Sequence, residues 1–176
     1  HNASNLIDER LLAHHIDVLK NCQGNPGSPH QLGRKARARI EEARENLAAL
    51  LSGFDIGGVT FCSSGTEALN LGLKRSVDWQ PGDHIIYSAI EHKAVLETVK
   101  FLGQAFGVAS TAIPVSSSGV IELDAVSTIV TDRTRLCAVM TANNEVGTIQ
   151  PLRALKESLP SDILLLSDAV QGAARM

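Results

Sequence analysis

Residues 136–147 read Leu-Cys-Ala-Val-Met-Thr-Ala-Asn-Asn-Glu-Val-Gly, an apolar run that ends in polar residues and a glycine. The run Leu136–Met140 does not alternate between apolar and polar side chains, which predicts a strand buried on both faces. The segment Ile163–Ser167 has the same character. Because strands of this kind belong to parallel sheets covered by helices on both sides, these two segments place the chain in the α/β class.

The rest of the chain alternates between short apolar runs and helical patterns. Further strands are expected at Gly58–Phe61, His84–Ser88 and Ala112–Val115. Helices are expected at Asp8–Lys20 and Gln31–Leu51, and after Gly65, Glu91, Leu123 and Pro151. Such alternation is typical of βαβ units, so we expect a three-layer α/β sandwich with a mainly parallel sheet.

Composition and charge exclude several classes of protein. The chain has 44% hydrophobic and 20% charged residues and a formal net charge of −3, which offers no basic surface for nucleic acid. No apolar run of about 18 residues and no signal peptide is visible, so we expect no membrane span and a cytoplasmic or organelle-matrix location. The scattered cysteines, Cys22, Cys62 and Cys137, predict neither a disulfide nor a metal site. Cys62 and Cys137 are expected to be buried in strands.

The first candidate site follows the predicted strand at Gly58–Phe61. Gly65 and Thr66 begin a helix, where free backbone amides and the helix dipole favour an anion such as a phosphate. A plain helix cap by Ser63 or Ser64 explains the same residues.

Three further candidates follow the other strands. His92 is expected in the first turn of a helix, where it can stack on a ring or move a proton, or serve structure alone. Asn144 lies in an amide-rich segment that can bind a ligand or form a simple turn. Asp168, with Gln171 three residues later, can pair with a protonated ring nitrogen or cap a helix. All four candidates are expected at the same edge of the sheet.

Several segments, in this order, resemble a known family. The matching stretches are Gly24-Asn-Pro-Gly-Ser-Pro-His30 with Gly33-Arg34, Ser64-Gly-Thr-Glu67, Glu91-His92, Ala142-Asn-Asn-Glu-Val-Gly-Thr-Ile-Gln150 and Asp168-Ala-Val-Gln171. They resemble the large domain of fold-type I pyridoxal phosphate (PLP) enzymes of the class V aminotransferase group. Within that group, the chain looks most like the cysteine desulfurases and selenocysteine lyases.

The resemblance implies PLP as the cofactor and removal of sulfur from L-cysteine, or of selenium from selenocysteine. By position, the implied contacts are Gly65 and Thr66 at the phosphate, His92 stacked on the ring, Asp168 at the ring nitrogen, and Asn144 and Gln171 at the ring hydroxyl. His92 would also assist proton transfer, as the catalytic residue. A homodimer, a small amino-acid substrate, a sulfur-acceptor protein and a part in iron–sulfur cluster assembly are implied as well.

Three departures from the family pattern matter. The family's N-terminal Asn-Ala-Thr-Thr-Pro reads Asn2-Ala-Ser-Asn-Leu6 here. The Ser-x-His-Lys stretch that supplies the covalent PLP lysine would follow Asp168 beyond Met176, as would the sulfur-accepting cysteine and the arginine that binds the substrate carboxylate. None of the lysines in the sequence stands in an equivalent context. Residues 1–176 are therefore expected to form a partial PLP-binding large domain, with residues 1–20 as an N-terminal arm, and to be inactive alone.

Two other functions remain compatible with these residues. Another class V enzyme, either an aminotransferase or a different β-eliminating lyase, would share the cofactor site and differ in the residues that bind the substrate. A non-catalytic scaffold or partner subunit would keep the fold without the chemistry. Binding of PLP separates a retained cofactor site from a scaffold that has lost it.

Overall fold

The computed structural model describes residues 6–51 and 55–173. Contacts within the chain form two compact units, of which the first ends at Phe61 and the second begins at Cys62. Residues 2–5 of the N-terminal motif lie outside the described residues. No helix in the described part of the chain is both long and apolar enough to cross a membrane.

The first unit is helical. Helix α1 spans Glu9–Asn21, and α2 spans Gln31–Leu50, as the sequence predicts. Each begins at a side-chain cap: Asp8 accepts a hydrogen bond from the Arg10 amide, and His30 accepts one from the Gly33 amide. These caps satisfy amides that have no carbonyl partner within the helix, which explains why the helices begin where they do.

The prediction of a strand at Gly58–Phe61 is wrong. A 3₁₀ turn spans Ile56–Gly58, and the following residues pair with no strand. The Arg44 guanidinium donates a hydrogen bond to the Val59 carbonyl, and it lies 5.1 Å from the centre of the Phe61 ring. This segment is therefore contacted by a side chain of α2, whereas a β-strand would have needed hydrogen bonds to a neighbouring strand.

The second unit is an α/β sheet domain. Its elements in chain order are α3 (Gly65–Arg75), β1 (His84–Ser88), α4 (Lys93–Phe106), β2 (Ala109–Ile113), α5 (Leu123–Ile129), β3 (Thr134–Ala138), α6 (Leu152–Ser158) and β4 (Leu164–Leu166). The sheet order is β2-β1-β3-β4, and every pair is parallel. The prediction of an α/β fold with a mainly parallel sheet is confirmed.

Strands β2, β3 and β4 differ from the predicted ranges at both ends, since β2 and β3 begin and end earlier and β4 is shorter. Two of these ends have identifiable reasons. Strand β2 ends at Ile113 because Pro114 lacks an amide donor and Val115 forms an isolated antiparallel bridge with Ile121. Strand β3 ends at Ala138, and the amide of Met140 donates to a side chain, that of Glu91.

Successive residues of the central strands enter opposite cores, which is why helices cover both faces of the sheet. Ile85 of β1 packs in one buried cluster with Leu73 of α3 and Val95 of α4. Its neighbour Ile86 packs in a second cluster with Leu155 of α6. The apolar run of the sequence thus serves two cores at once, and the sheet is the middle of three layers.

The two cysteines predicted to be buried in strands behave differently. Cys137 is fully buried in β3, as expected. Cys62 is only half-buried and lies outside any strand, so that prediction is wrong. The reason is the missing strand before it, which would have carried Cys62 into the sheet.

We expect Leu136→Ala to lower the free energy of unfolding by about 2–5 kcal/mol, because it leaves a cavity at a fully buried position of β3. The matched control is Leu164→Ala in β4, whose side chain is 46% exposed, with an expected loss below about 1 kcal/mol. Urea unfolding of both variants measures the difference. Equal losses would contradict the burial of β3 on both faces.

Candidate functional site

The candidate site lies in the second unit, where the loops after β1, β3 and β4 meet. The side-chain amide of Asn143 donates to the Ile90 carbonyl at 3.1 Å, which joins the loop after β3 to the turn after β1. The Thr141 amide donates to the Asp168 carbonyl at 2.8 Å, which joins the same loop to the end of β4. Hydrogen bonds therefore hold together three segments that are distant in sequence.

The start of α3 is capped by its own side chains. Ser64 accepts a hydrogen bond from the Glu67 amide at 3.2 Å, and Glu67 accepts bonds from the amide and hydroxyl of Ser63, both at 2.6 Å. The hydroxyl and amide of Ser63 lower the pKa of Glu67. The helix cap by Ser64, which was the structural alternative for this segment, is thus present.

The cap leaves part of the helix start available to a ligand. The amides of Gly65 and Thr66 stand in the first turn, where no carbonyl of the same helix reaches them, and both residues are exposed. A Cβ atom built on Gly65 would lie 3.1 Å from Val170 Cγ2. The start of α3 therefore lies beside the loop that carries Asp168.

His92 is the N-cap of α4, and it does not lie in the first turn as predicted. Its Nδ1 atom accepts a hydrogen bond from the Ala94 amide at 3.1 Å. A neutral imidazole in this arrangement carries its proton on Nε2. His92 lines a cavity of about 410 Å³ together with Thr66 and a second of about 400 Å³ together with Asn144.

The two adjacent asparagines have different environments. Asn143 is fully engaged: besides its bond to Ile90, its Oδ1 atom accepts from the amides of Glu145 and Val146. Asn144 is half-buried, and its side chain forms no hydrogen bond with the described residues. Asn143 therefore shapes the loop, while the Asn144 amide faces no competing partner.

Asp168 and Gln171 complete the set of predicted residues. Asp168 is half-buried, and its Oδ1 atom accepts from the Val170 amide at 3.0 Å, which fixes the turn after β4. Gln171 lies half-buried in that turn. Within the described residues, no group of three or more His, Cys, Asp and Glu side chains is arranged to hold a metal.

Glu91 belongs to this region, although its place in the sequence predicted no role for it. Its side chain is buried, and one carboxyl oxygen, Oε1, accepts from the Met140 amide at 2.7 Å. The other, Oε2, is buried without a hydrogen-bond partner in the described structure. Burial raises the pKa of Glu91 to about 7, the Met140 amide opposes this, the charge of Asp168 raises it further, and the Ser88 hydroxyl opposes it.

The sequence did contain one sign that Glu91 could have a role. Its carboxylate is separated from the end of the predicted strand His84–Ser88 by only two apolar residues. Its burial depends on β3, and that contact is not visible in the local pattern. The nearby Cys137 thiol is not a candidate nucleophile. Burial raises the pKa of Cys137 to about 12, the charge of Glu91 adds to this, and Lys156 opposes it.

The comparisons with known proteins show the family to which the chain belongs. The Aminotransferase class-V family model matches residues 1–176, so the chain belongs to that family. The family members that this chain resembles are PLP-dependent enzymes. Cysteine desulfurase IscS 1 of Archaeoglobus fulgidus is 36% identical over 165 residues, which cover 93% of this chain and 43% of that protein. The resemblance inferred from the motifs is confirmed.

Two further proteins support the same relationship. A mitosomal cysteine desulfurase of Trachipleistophora hominis is 34% identical over 175 residues, covering 96% of this chain and 39% of that protein. The solved structure of SspA in complex with cysteine superposes with a TM-score of 0.87 at 30% identity, covering 97% of this chain and 50% of that one. The chain thus spans half or less of the length of these three proteins.

We expect Glu91→Gln to remove a pH dependence of stability. The folded chain keeps the Glu91 proton up to about pH 7, whereas the unfolded chain releases it near pH 4.5. The free energy of unfolding of the wild-type chain therefore falls as the pH rises through this window, by about 3 kcal/mol in total from this group.

The measurement is urea unfolding of wild type and Glu91→Gln at several pH values between about 5 and 8, with the difference between the two curves isolating this group. Glu122→Gln, at an exposed position that makes no capping hydrogen bond, is the matched control and should follow the wild type. A constant difference between wild type and Glu91→Gln across this range would show that Glu91 does not hold its proton.

Proposed function

We propose that this chain is the PLP-binding portion of a cysteine desulfurase, an enzyme that removes sulfur from L-cysteine. The observation that carries the proposal is that His92 borders both a cavity lined by Thr66 and a second cavity lined by Asn144. The loop that carries Asn144 is hydrogen-bonded to Asp168 through the Thr141 amide. The desulfurase relatives and the cysteine complex of SspA support the substrate. Selenocysteine has the same amino-acid frame and is the alternative substrate.

The residues present fit the polar groups of PLP. The exposed amides of Gly65 and Thr66 suit its phosphate, since a helix start favours an anion. The unpaired side-chain amide of Asn144 suits the ring hydroxyl. Gln171, which is close to Asp168 in the sequence, is proposed as a second contact to the same hydroxyl. The Asp168 carboxylate suits a protonated ring nitrogen, which lets the cofactor serve as an electron sink for the bonds around the substrate α-carbon.

His92 has two tasks in this proposal. Its imidazole would cover one face of the cofactor ring, because it borders both the Thr66 cavity and the Asn144 cavity. Its Nδ1 atom is held by the Ala94 amide, so Nε2 is the atom that would give or take a proton. The helix cap thereby fixes which nitrogen does the chemistry.

A covalent lysine is not part of this proposal. Lys93 borders both cavities, but it is exposed to solvent at the start of α4. We therefore propose that the 176-residue chain alone holds PLP noncovalently and does not turn over cysteine.

PLP added to the chain should bind without forming an adduct that borohydride can trap. Asp168→Ala should weaken this binding by about 1.5–3 kcal/mol, because it removes a charge-assisted contact to the ring nitrogen. Absorbance and fluorescence titration measure the affinity, and mass spectrometry after reduction detects an adduct. The matched control is Asp132→Ala, an exposed aspartate that precedes β3 at the other end of the strands.

Two results would contradict the proposal. A trappable adduct on a lysine together with an unchanged affinity in Asp168→Ala would mean that PLP reacts adventitiously. Absence of PLP binding in the wild-type chain would favour the scaffold alternative, in which the fold is kept without the cofactor. Binding with the expected dependence on Asp168 retains the enzyme family and excludes a scaffold that has lost the site.

We also propose a location in the cytoplasm or an organelle matrix, and the mitosomal relative supports the organelle. In addition, we propose that the chain self-associates. Helix α1 carries apolar side chains without burying any of them, and Leu11 and Leu19 are 64% and 59% exposed. Such a face is costly to leave in water.

Light scattering over a range of concentrations should therefore detect dimers or larger species. Replacing both Leu11 and Leu19 by Gln should shift the chain toward the monomer, since it removes apolar surface from α1. Leu96→Gln, on an exposed position of α4, is the control and should leave the distribution unchanged. A strictly monomeric wild-type chain at high concentration would contradict the proposal.

A further inference from the structure

The turn after β1 is tied to the end of β3 by two hydrogen bonds. In one, the buried Glu91 carboxyl accepts from the Met140 amide, and in the other the Asn143 side chain donates to the Ile90 carbonyl. The turn itself is closed by a bond from the Glu91 amide to the Ser88 carbonyl. Glu91 therefore holds its own turn and the neighbouring strand end at the same time.

These ties lead directly to the residues of the cofactor site. His92 follows Glu91 in the chain and begins α4. On the other side, Met140 precedes Thr141, whose amide bonds to the Asp168 carbonyl. One buried carboxyl thus stands between the segment that presents His92 and the segment that presents Asp168.

The second oxygen of Glu91 defines its chemical state. Oε2 is buried and has no hydrogen-bond partner among the described residues, although Glu91 borders a cavity that Asn144 also lines. A buried, unpaired charge is far more costly than a buried neutral carboxyl. The nearby negative charge of Asp168 makes a second charge here more costly still.

We propose that Glu91 is a positioning residue for the cofactor site, and that it acts as a neutral, protonated carboxyl joining the ends of β1 and β3. This inference rests on the proposed function, because the site that Glu91 positions is the PLP site. Oε1 keeps the Met140 amide in place, while the proton on Oε2 leaves Asp168 as the negative charge for the ring nitrogen. Glu91 itself touches no reacting atom.

The charged and titratable groups around Glu91 are consistent with a neutral carboxyl. Asp168, from the end of β4, repels a negative charge on Glu91. Cys137 of β3 is an uncharged thiol at neutral pH, since burial raises its pKa to about 12. The Lys156 ammonium of α6 is engaged by the Ile163 carbonyl at 3.0 Å. His92 is the neighbour in sequence, and its Nδ1 atom is occupied by Ala94.

The first experiment uses the chain without any cofactor. In wild type, the amide NMR signals of Met140, Thr141 and Asp168 should shift together as the pH rises, with a common midpoint near pH 7. In Glu91→Gln, which stays neutral and keeps an oxygen for Met140, this shared transition should disappear. Glu122→Gln, the same change at an exposed position, should retain it.

The second experiment measures PLP binding at about pH 6, where wild-type Glu91 is protonated. Glu91→Gln should bind within about twofold of wild type, because the neutral amide replaces the neutral acid. Glu91→Ala and Glu91→Asp should bind about tenfold more weakly, since the Met140 amide loses its acceptor. Circular dichroism in the cofactor absorption band reports whether the bound ring keeps a fixed orientation.

The two experiments separate this inference from the proposed function. A missing pH transition in the wild-type NMR signals, or a wild-type affinity and dichroism in Glu91→Asp and Glu91→Ala, overturns the positioning role. If Glu91→Ala does not fold, Glu91→Asp, which retains the carboxyl at a shorter reach, decides the point. A chain that shows the NMR transition but binds no PLP supports the junction by Glu91 and overturns the proposed cofactor.

Discussion

The hydrogen bond from the Met140 amide to the Glu91 carboxyl is the contact on which the candidate site depends. It joins the turn after β1 to the segment that follows β3, 49 residues away in sequence. His92, Asn144 and Asp168 lie within a few residues of this junction or of the segments hydrogen-bonded to it, whereas Gly65 and Thr66 belong to the separately capped start of α3. A parallel sheet brings strand ends together, but side-chain bonds of this kind set their relative positions.

The two ends of the sheet treat buried carboxylates in opposite ways. At the amino end, burial raises the pKa of Asp83, but the Gln80 amide and the guanidinium of Arg135 outweigh it, so the pKa is lowered. At the carboxyl end, the Met140 amide and the Ser88 hydroxyl act on Glu91 without any cation from the described residues, and burial raises its pKa to about 7. The lowered pKa keeps the Asp83 carboxylate charged, so that it can bind its cationic partners. The raised pKa of Glu91 lies close to neutral pH, where this carboxyl gains or loses its proton.

The α/β fold could be predicted because apolar runs without alternation, such as Leu136–Met140, recur between helical patterns along the chain. The strand at Gly58–Phe61 failed because the pattern does not reveal that Arg44 binds Val59, and His92 was placed one step too far into its helix because capping depends on backbone angles. Glu91 stands in the matching stretch Glu91-His92, but its role could not be predicted because its burial arises only when β1 and β3 pair. Local patterns therefore predicted the framework, and contacts between distant segments decided the chemistry.

The burial of Cys137 has a practical consequence for following this protein in solution. Its thiol is fully enclosed between sheet and helices and stays protonated, whereas Cys22 and Cys62 are half-buried. Alkylating reagents attack thiolates that they can reach, so we expect the two half-buried cysteines to react before Cys137 while the chain is folded. The rate at which Cys137 becomes modified instead reports how often the sheet opens. Cys137 is therefore a natural probe of unfolding that needs no introduced label.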